Sequence, residues 1–100
     1  MTKIREVKFH GSGATYGWEH KCPGCNELHA VPTSGPTPWT FNGDTERPTF
    51  SPSVLHTIEF RDGTPTKVCH YFIVDGEIRF CGDCTHELAG KKVPLPEHPT

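Results

Sequence analysis

Lys67-Val68-Cys69-His70-Tyr71-Phe72-Ile73-Val74-Asp75-Gly76-Glu77-Ile78-Arg79-Phe80 is the stretch from which the fold can be read. Residues 67–74 are β-branched and aromatic, Asp75-Gly76 is a tight-turn pair, and residues 77–80 resume an apolar and polar alternation. That combination specifies an antiparallel hairpin. Working back along the chain, Val54, His56, Ile58 and Phe60 alternate with Leu55, Thr57 and Glu59 as a further strand, closed by Asp62-Gly63. Arg47-Pro48-Thr49-Phe50-Ser51-Pro52-Ser53 is extended, because its prolines lack N–H donors and push Arg47 and Ser51 out of the helical region. Trp39-Thr40-Phe41 is a strand stub that ends at the turn pair Asn42-Gly43.

Nearer the amino end, Lys3–Phe9 carries a weak strand pattern, broken by Gly11-Ser12-Gly13. Thr15–His20 and Leu28–Val31 are short strands on either side of Cys22-Pro23-Gly24-Cys25. After the hairpin, Asp83–Gly90 fits one or two helical turns, with Asp83 as N-cap and Gly90 as terminator. Pro94 and Pro96 should end regular structure. The expected fold is therefore mainly β: a small β-rich α+β domain of short antiparallel strands, with a zinc knuckle and one short C-terminal helical turn. Residues 1–96 form a single domain, and residues 97–100 a frayed tail.

The 100 residues include 10 glycines and 10 prolines and are only 33% hydrophobic, which suits short strands joined by ordered loops. A core this lean gains from a metal staple. The formal charge of −2 and the lack of a basic block argue against nucleic-acid binding. No stretch approaches a membrane span, and no signal-type apolar run opens the chain, which places it in the cytoplasm. Five cysteines, an odd number, suit metal binding better than a closed disulfide framework.

Cys22-Pro23-Gly24-Cys25 has the spacing and the tight turn of a zinc knuckle. A tetrahedral Zn2+ needs two more ligands. Cys84 belongs both to Cys81-Gly82-Asp83-Cys84 and to Cys84-Thr85-His86, which makes it the favoured third ligand. For the fourth, Cys81, His86, Cys69, His70 and His29 compete. Cys69 and His70 are strand neighbours pointing to opposite faces, so only one of them can join a given site.

Several of these segments fall into an ordered series. Cys22-Pro23-Gly24-Cys25 with His29 leads to Trp39-x-Phe41-Asn42-Gly43-Asp44 and Arg47-Pro48-Thr49-Phe50-Ser51-Pro52-Ser53. Cys69-His70-x-Phe72, Asp75-Gly76-x-Ile78 and Asp83-Cys84-x-His86 come next, ahead of Gly90. Over roughly residues 16–96 the series resembles a family of small phage and prophage proteins of unknown function, often labelled "ammonia monooxygenase". The label does not fit a chain without a membrane span or a copper-type histidine array. The resemblance implies a phage accessory protein. Members of that family need not carry a cysteine at the position of Cys81, which moves the fourth ligand to His86 and gives the set Cys22, Cys25, Cys84 and His86.

For function, the polar and aromatic segment 42–53 suggests a zinc-stabilised binding module for a host protein or a small anionic ligand, using Asn42, Asp44, Arg47, Thr49 and Ser51. The competing reading is a loop whose side chains satisfy its own backbone. A metal-dependent hydrolase is the first alternative, and a zinc-ribbon-like nucleic-acid binder the second. The sequence lacks H-E-x-x-H, the deaminase signature and a serine nucleophile elbow, so no catalytic residue is assigned and a binding role is preferred to an enzymatic one.

Overall fold

In the computed structural model, which describes residues 2–99, eight strands form two antiparallel sheets. β1 (Ile4–Lys8), β2 (Thr15–Cys22) and β3 (Glu27–Pro32) make the first, in that spatial order. β4 (Thr40–Phe41), β5 (Phe50–Ile58), β6 (Lys67–Val74), β7 (Glu77–Phe80) and β8 (Lys92–Pro94) make the second. The hairpin expected at residues 67–80 is present, with Val74 opposite Glu77 and Tyr71 opposite Phe80. Its turn places Asp75 and Gly76 at φ 49° and 79°, the left-handed pair that an Asp-Gly hairpin turn requires.

The strand alternation read from the sequence decides what faces inward. Cys69, Tyr71 and Ile73 of β6, with Ile78 and Phe80 of β7, enter the core, joined by Phe50, Val54, Ile4, Val31 and Leu95. Aromatic contacts tie the two sheets together: Trp18 of β2 packs 5.1 Å from Phe41, which stacks 4.9 Å from Phe50. On the opposite face of the second sheet, Leu55 and Phe72 remain 57% and 44% exposed, leaving an open apolar surface beside His70.

The pairing of β5 with β6 is irregular at one point. Phe50 faces Ile73 and Val54 faces Tyr71, so β5 carries extra residues between these two pairs. A bulge of this kind re-aims the side chains within it, and Ser53 lies inside it.

One expectation is corrected. No α-helix occurs among the described residues. Residues 81–90 form turns, with Cys84 N–H reaching Cys81 O, Ala89 N–H reaching His86 O and Gly90 N–H reaching Cys81 O. Pairing with β6 wins over helix formation here: Cys81 N–H donates to His70 O at 2.8 Å, and Thr85 N–H donates to Val68 O at 3.0 Å. Pro94 is the last residue of edge strand β8, where a proline's missing donor costs no ladder bond, and no regular element follows it among the described residues, as expected. Of the expected tail, His98 is buried and its N–H bonds to Thr2 O at 3.1 Å, whereas Thr100 lies outside the described residues.

Candidate metal centre and a serine–histidine–aspartate constellation

Cys22 closes β2, and the turn after it brings Cys25 back so that its N–H meets the Cys22 sulfur at 3.4 Å. Cys69 arrives from β6, its Sγ 3.6 Å from that of Cys22. His86 arrives from the turns after β7, with Nε2 3.5 Å from the Cys69 sulfur. Cys25, Cys69 and His86 hold ligand atoms within 4.8 Å of one another, and Cys22, Cys25 and His29 form an overlapping group.

Gly24 forms the seat for the histidine: a Cβ at that position would lie 2.3 Å from the His86 ring. Leu88 N–H contacts Nδ1 at 3.2 Å and Phe80 meets the ring edge-on at 4.5 Å, so the imidazole is held with Nε2 toward the sulfurs.

The donor set fits a metal ion. Zinc–sulfur bonds of about 2.3 Å at tetrahedral angles put two sulfurs roughly 3.8 Å apart, and a sulfur and a nitrogen roughly 3.5 Å apart. The observed 3.6 and 3.5 Å match these edges. Electrostatics agrees. The bond with Cys69 draws the Cys22 thiol down to about 6, while Cys69 is pushed far up as the partner that keeps the shared proton. Burial raises Cys25 to about 11. Three thiolates cannot ionise side by side in this space without a cation to balance them.

Cys84, the sequence-favoured third ligand, lies outside this group. Its thiol donates to His70 O at 3.1 Å and accepts the His70 N–H at 3.3 Å, so it straddles the backbone of His70. Cys69 takes its place because inward alternation on β6 carries that sulfur to the knuckle. All five cysteines are free thiols.

Behind the cluster lies a buried polar group. The Tyr71 hydroxyl lies 2.7 Å from His20 Nε2 and 3.0 Å from His29 Nδ1, and the His29 ring packs 4.0 Å from His56. Burial, reinforced by the neighbouring imidazoles, holds His20 at about 3 and His29 at about 4. His20 is therefore neutral in the fold but takes a proton near 6.5 once unfolded. Between these values only the unfolded chain binds the proton, so stability falls as pH drops from about 6.5 toward 3. The expected slope from this one group approaches about 1.4 kcal/mol per pH unit. Urea unfolding across that range should give a shallower dependence for His20→Gln than for the parent; thiol protonation acts on both proteins and cancels in the comparison.

The other face of the same strands carries a second arrangement. Ser53 Oγ lies 3.1 Å from His70 Nε2, and His70 Nδ1 lies 3.1 and 3.3 Å from the two Asp83 carboxylate oxygens. The β5 bulge delivers Ser53, β6 delivers His70, and the turns after β7 deliver Asp83. Trp39 Nε1 donates to Ser53 O at 3.2 Å and fixes the serine backbone. Nucleophile, base and orienting carboxylate stand in one line, which is the geometry of a serine hydrolase triad.

The two sites are built back to back from shared segments. Neighbours Cys69 and His70 supply one residue to each, and Asp83 and His86 do the same from the turns. Sequence reasoning met Ser53, His70 and Asp83 separately, as the end of an extended segment, a competing ligand and a helix cap. The signal that joins them is sheet register, which no local motif carries.

A family model described as bacterial ubiquitination-like system serine protease (BubE) matches residues 2–81. The chain belongs to this family. The matched segment contains Ser53 and His70 and stops two residues short of Asp83. No curated protein and no solved structure matches the chain. The BubE description refers to a bacterial ubiquitination-like system, and phage origin forms no part of it.

The residues expected to bind a ligand in segment 42–51 are engaged with one another. Asn42 Nδ2 donates to Arg47 O, while its Oδ1 accepts from Asp44 N–H and Thr49 N–H, all at 3.1 Å. Asp44 Oδ1 accepts from Glu46 and Arg47 N–H, and Arg47 pairs with Asp75 at 3.2 Å. The Thr49 hydroxyl accepts from Asp75 N–H at 2.7 Å, and Ser51 offers its carbonyl to the Thr40 hydroxyl. The segment fastens β4 and β5 to the hairpin turn and so supports the strand that carries Ser53.

Proposed function

We propose that the chain is a serine protease of a bacterial ubiquitination-like system, with Ser53 as nucleophile, His70 as general base and acid, and Asp83 as the carboxylate that orients His70. The observation that carries this reading is the continuous contact from Ser53 Oγ through His70 to Asp83; the BubE match supports the reaction class. Ser53 Oγ attacks the scissile carbonyl carbon while its proton passes to His70 Nε2. The departing amine takes that proton as the C–N bond breaks. Water, deprotonated by the same nitrogen, then hydrolyses the acyl-serine. Asp83 keeps the Nδ1 proton in place and stabilises the imidazolium.

The open sheet face bearing Leu55 and Phe72 suits an extended polypeptide better than a small molecule. A cavity of about 840 Å3 lies on the metal side instead, bordered by Cys25, His29, His56 and His86. In this reading Cys22, Cys25, Cys69 and His86 would hold zinc, and its contribution is structural: it fixes the strand that carries His70.

The test is cleavage of the ubiquitin-like polypeptide of the same system, followed by intact mass. The parent should release two fragments whose masses sum to the substrate plus one water, and Ser53→Ala should release none. Cleavage that survives Ser53→Ala but stops on chelation would favour a metal-dependent hydrolase using the cavity beside the cluster.

A further inference from the structure

Cys81, the first residue after β7, is absorbed by neither site. It is half-buried, and its N–H bond to His70 O at 2.8 Å holds it beside the base. Ligand atoms of Cys81, His70 and Asp83 all lie within 4.8 Å of one another. The two His70 nitrogens have distinct neighbours, Nε2 facing Ser53 and Nδ1 facing Asp83. A thiol, an imidazole nitrogen and a carboxylate thus converge on one half-exposed point, and none of them belongs to the Cys22, Cys25, Cys69 and His86 cluster.

We infer that Cys81, His70 and Asp83 form a second, reversible metal site that takes a zinc-class divalent ion and switches the triad off. One sulfur, one nitrogen and one oxygen suit a borderline transition ion and are poor ligands for Mg2+ or Ca2+, which prefer all-oxygen shells. Three protein ligands leave a fourth position for water, as in exchangeable rather than closed sites.

The chemistry of inhibition rests on the tautomer. In the working enzyme Nδ1 carries the ring proton and Nε2 holds the lone pair that receives the serine proton. An ion on Nδ1 requires that lone pair, so the neutral ring keeps its proton on Nε2. His70 then cannot accept from Ser53, and Asp83 is drawn from the ring to the ion. Binding releases one proton to solvent, from the Cys81 thiol. The existence of the site stands apart from the protease reading; its inhibitory effect rests on it.

The experiment titrates zinc chloride into the metal-loaded chain, counting bound ions by native mass spectrometry and timing the labelling of Ser53 by a fluorophosphonate. The parent should take up one ion beyond those it holds without added zinc. Its labelling rate should fall by roughly a hundredfold or more at saturation, the scale of losing a general base, and recover after brief chelation. Cys81→Ser, whose backbone bond to His70 is unaffected, should bind no additional ion and label at the same rate with or without added zinc. No additional ion in the parent, an additional ion without slower labelling, or equal inhibition of parent and Cys81→Ser would each overturn the inference. Failure of Ser53 to label before any zinc is added would instead refute the protease reading, while the ion count would still decide whether the site exists.

Discussion

Ser53→Ala should leave a folded, metal-loaded domain whose hydrolytic turnover has fallen by about a millionfold, the loss typical of removing a triad nucleophile. The change deletes one oxygen from a half-buried side chain whose hydroxyl contacts His70 and whose carbonyl still accepts from Trp39. Its melting temperature should therefore match the parent's within a few degrees. Asp83→Asn should be milder, a loss of about ten-thousandfold, because the amide disturbs the His70 tautomer but leaves nucleophile and base in contact. Steady-state cleavage with equal folded protein checks both. Turnover by Ser53→Ala within tenfold of the parent would dismiss Ser53 as nucleophile.

Removal of the metal should unfold the domain. A structural zinc contributes on the order of 10 kcal/mol to folding, comparable with the roughly 5–15 kcal/mol total stability of an ordinary domain. Cys22 ends β2 of the three-stranded sheet and Cys25 lies in the turn after it, Cys69 belongs to the five-stranded sheet, and His86 to the turns behind it. An ion held by these residues would join parts of the chain that the small aromatic core alone holds weakly. At roughly 4–8 °C per kcal/mol for a domain of this size, even a third of that contribution lowers melting by more than about 12 °C. Cys69→Ser should behave like the stripped protein and lose its ion, whereas Cys84→Ser, altered at a sulfur that hydrogen-bonds the His70 backbone, should keep it. The reverse pattern would restore Cys84 as the ligand. Metal content by mass, with melting followed by circular dichroism, separates the outcomes.

Much of the fold was legible because it is local. The Asp75-Gly76 turn with its flanking apolar strands reproduces β6 and β7 to the residue, and Asn42-Gly43 ends β4 as expected. The knuckle was legible too, since its turn and its two sulfurs are adjacent in sequence. What escaped was long-range register. Cys84 attracted attention because it completes two short motifs, yet sheet pairing brings Cys69 to the knuckle and leaves Cys84 behind His70. The alternation of Cys69 and His70 to opposite faces was read correctly, and it distributes them between two sites. Ser53 carried no catalytic motif, because it sits in a strand bulge and not in a strand-to-helix elbow. Asp83 read as a helix cap, since an aspartate before a short polar run looks the same until β6 captures that run.

The most direct test of the triad is peptide mapping of the folded, metal-loaded chain after reaction with a fluorophosphonate. A working triad predicts a single adduct, on the peptide containing Ser53, and none after His70→Ala. An unmodified chain, or an adduct on any other residue, would contradict it.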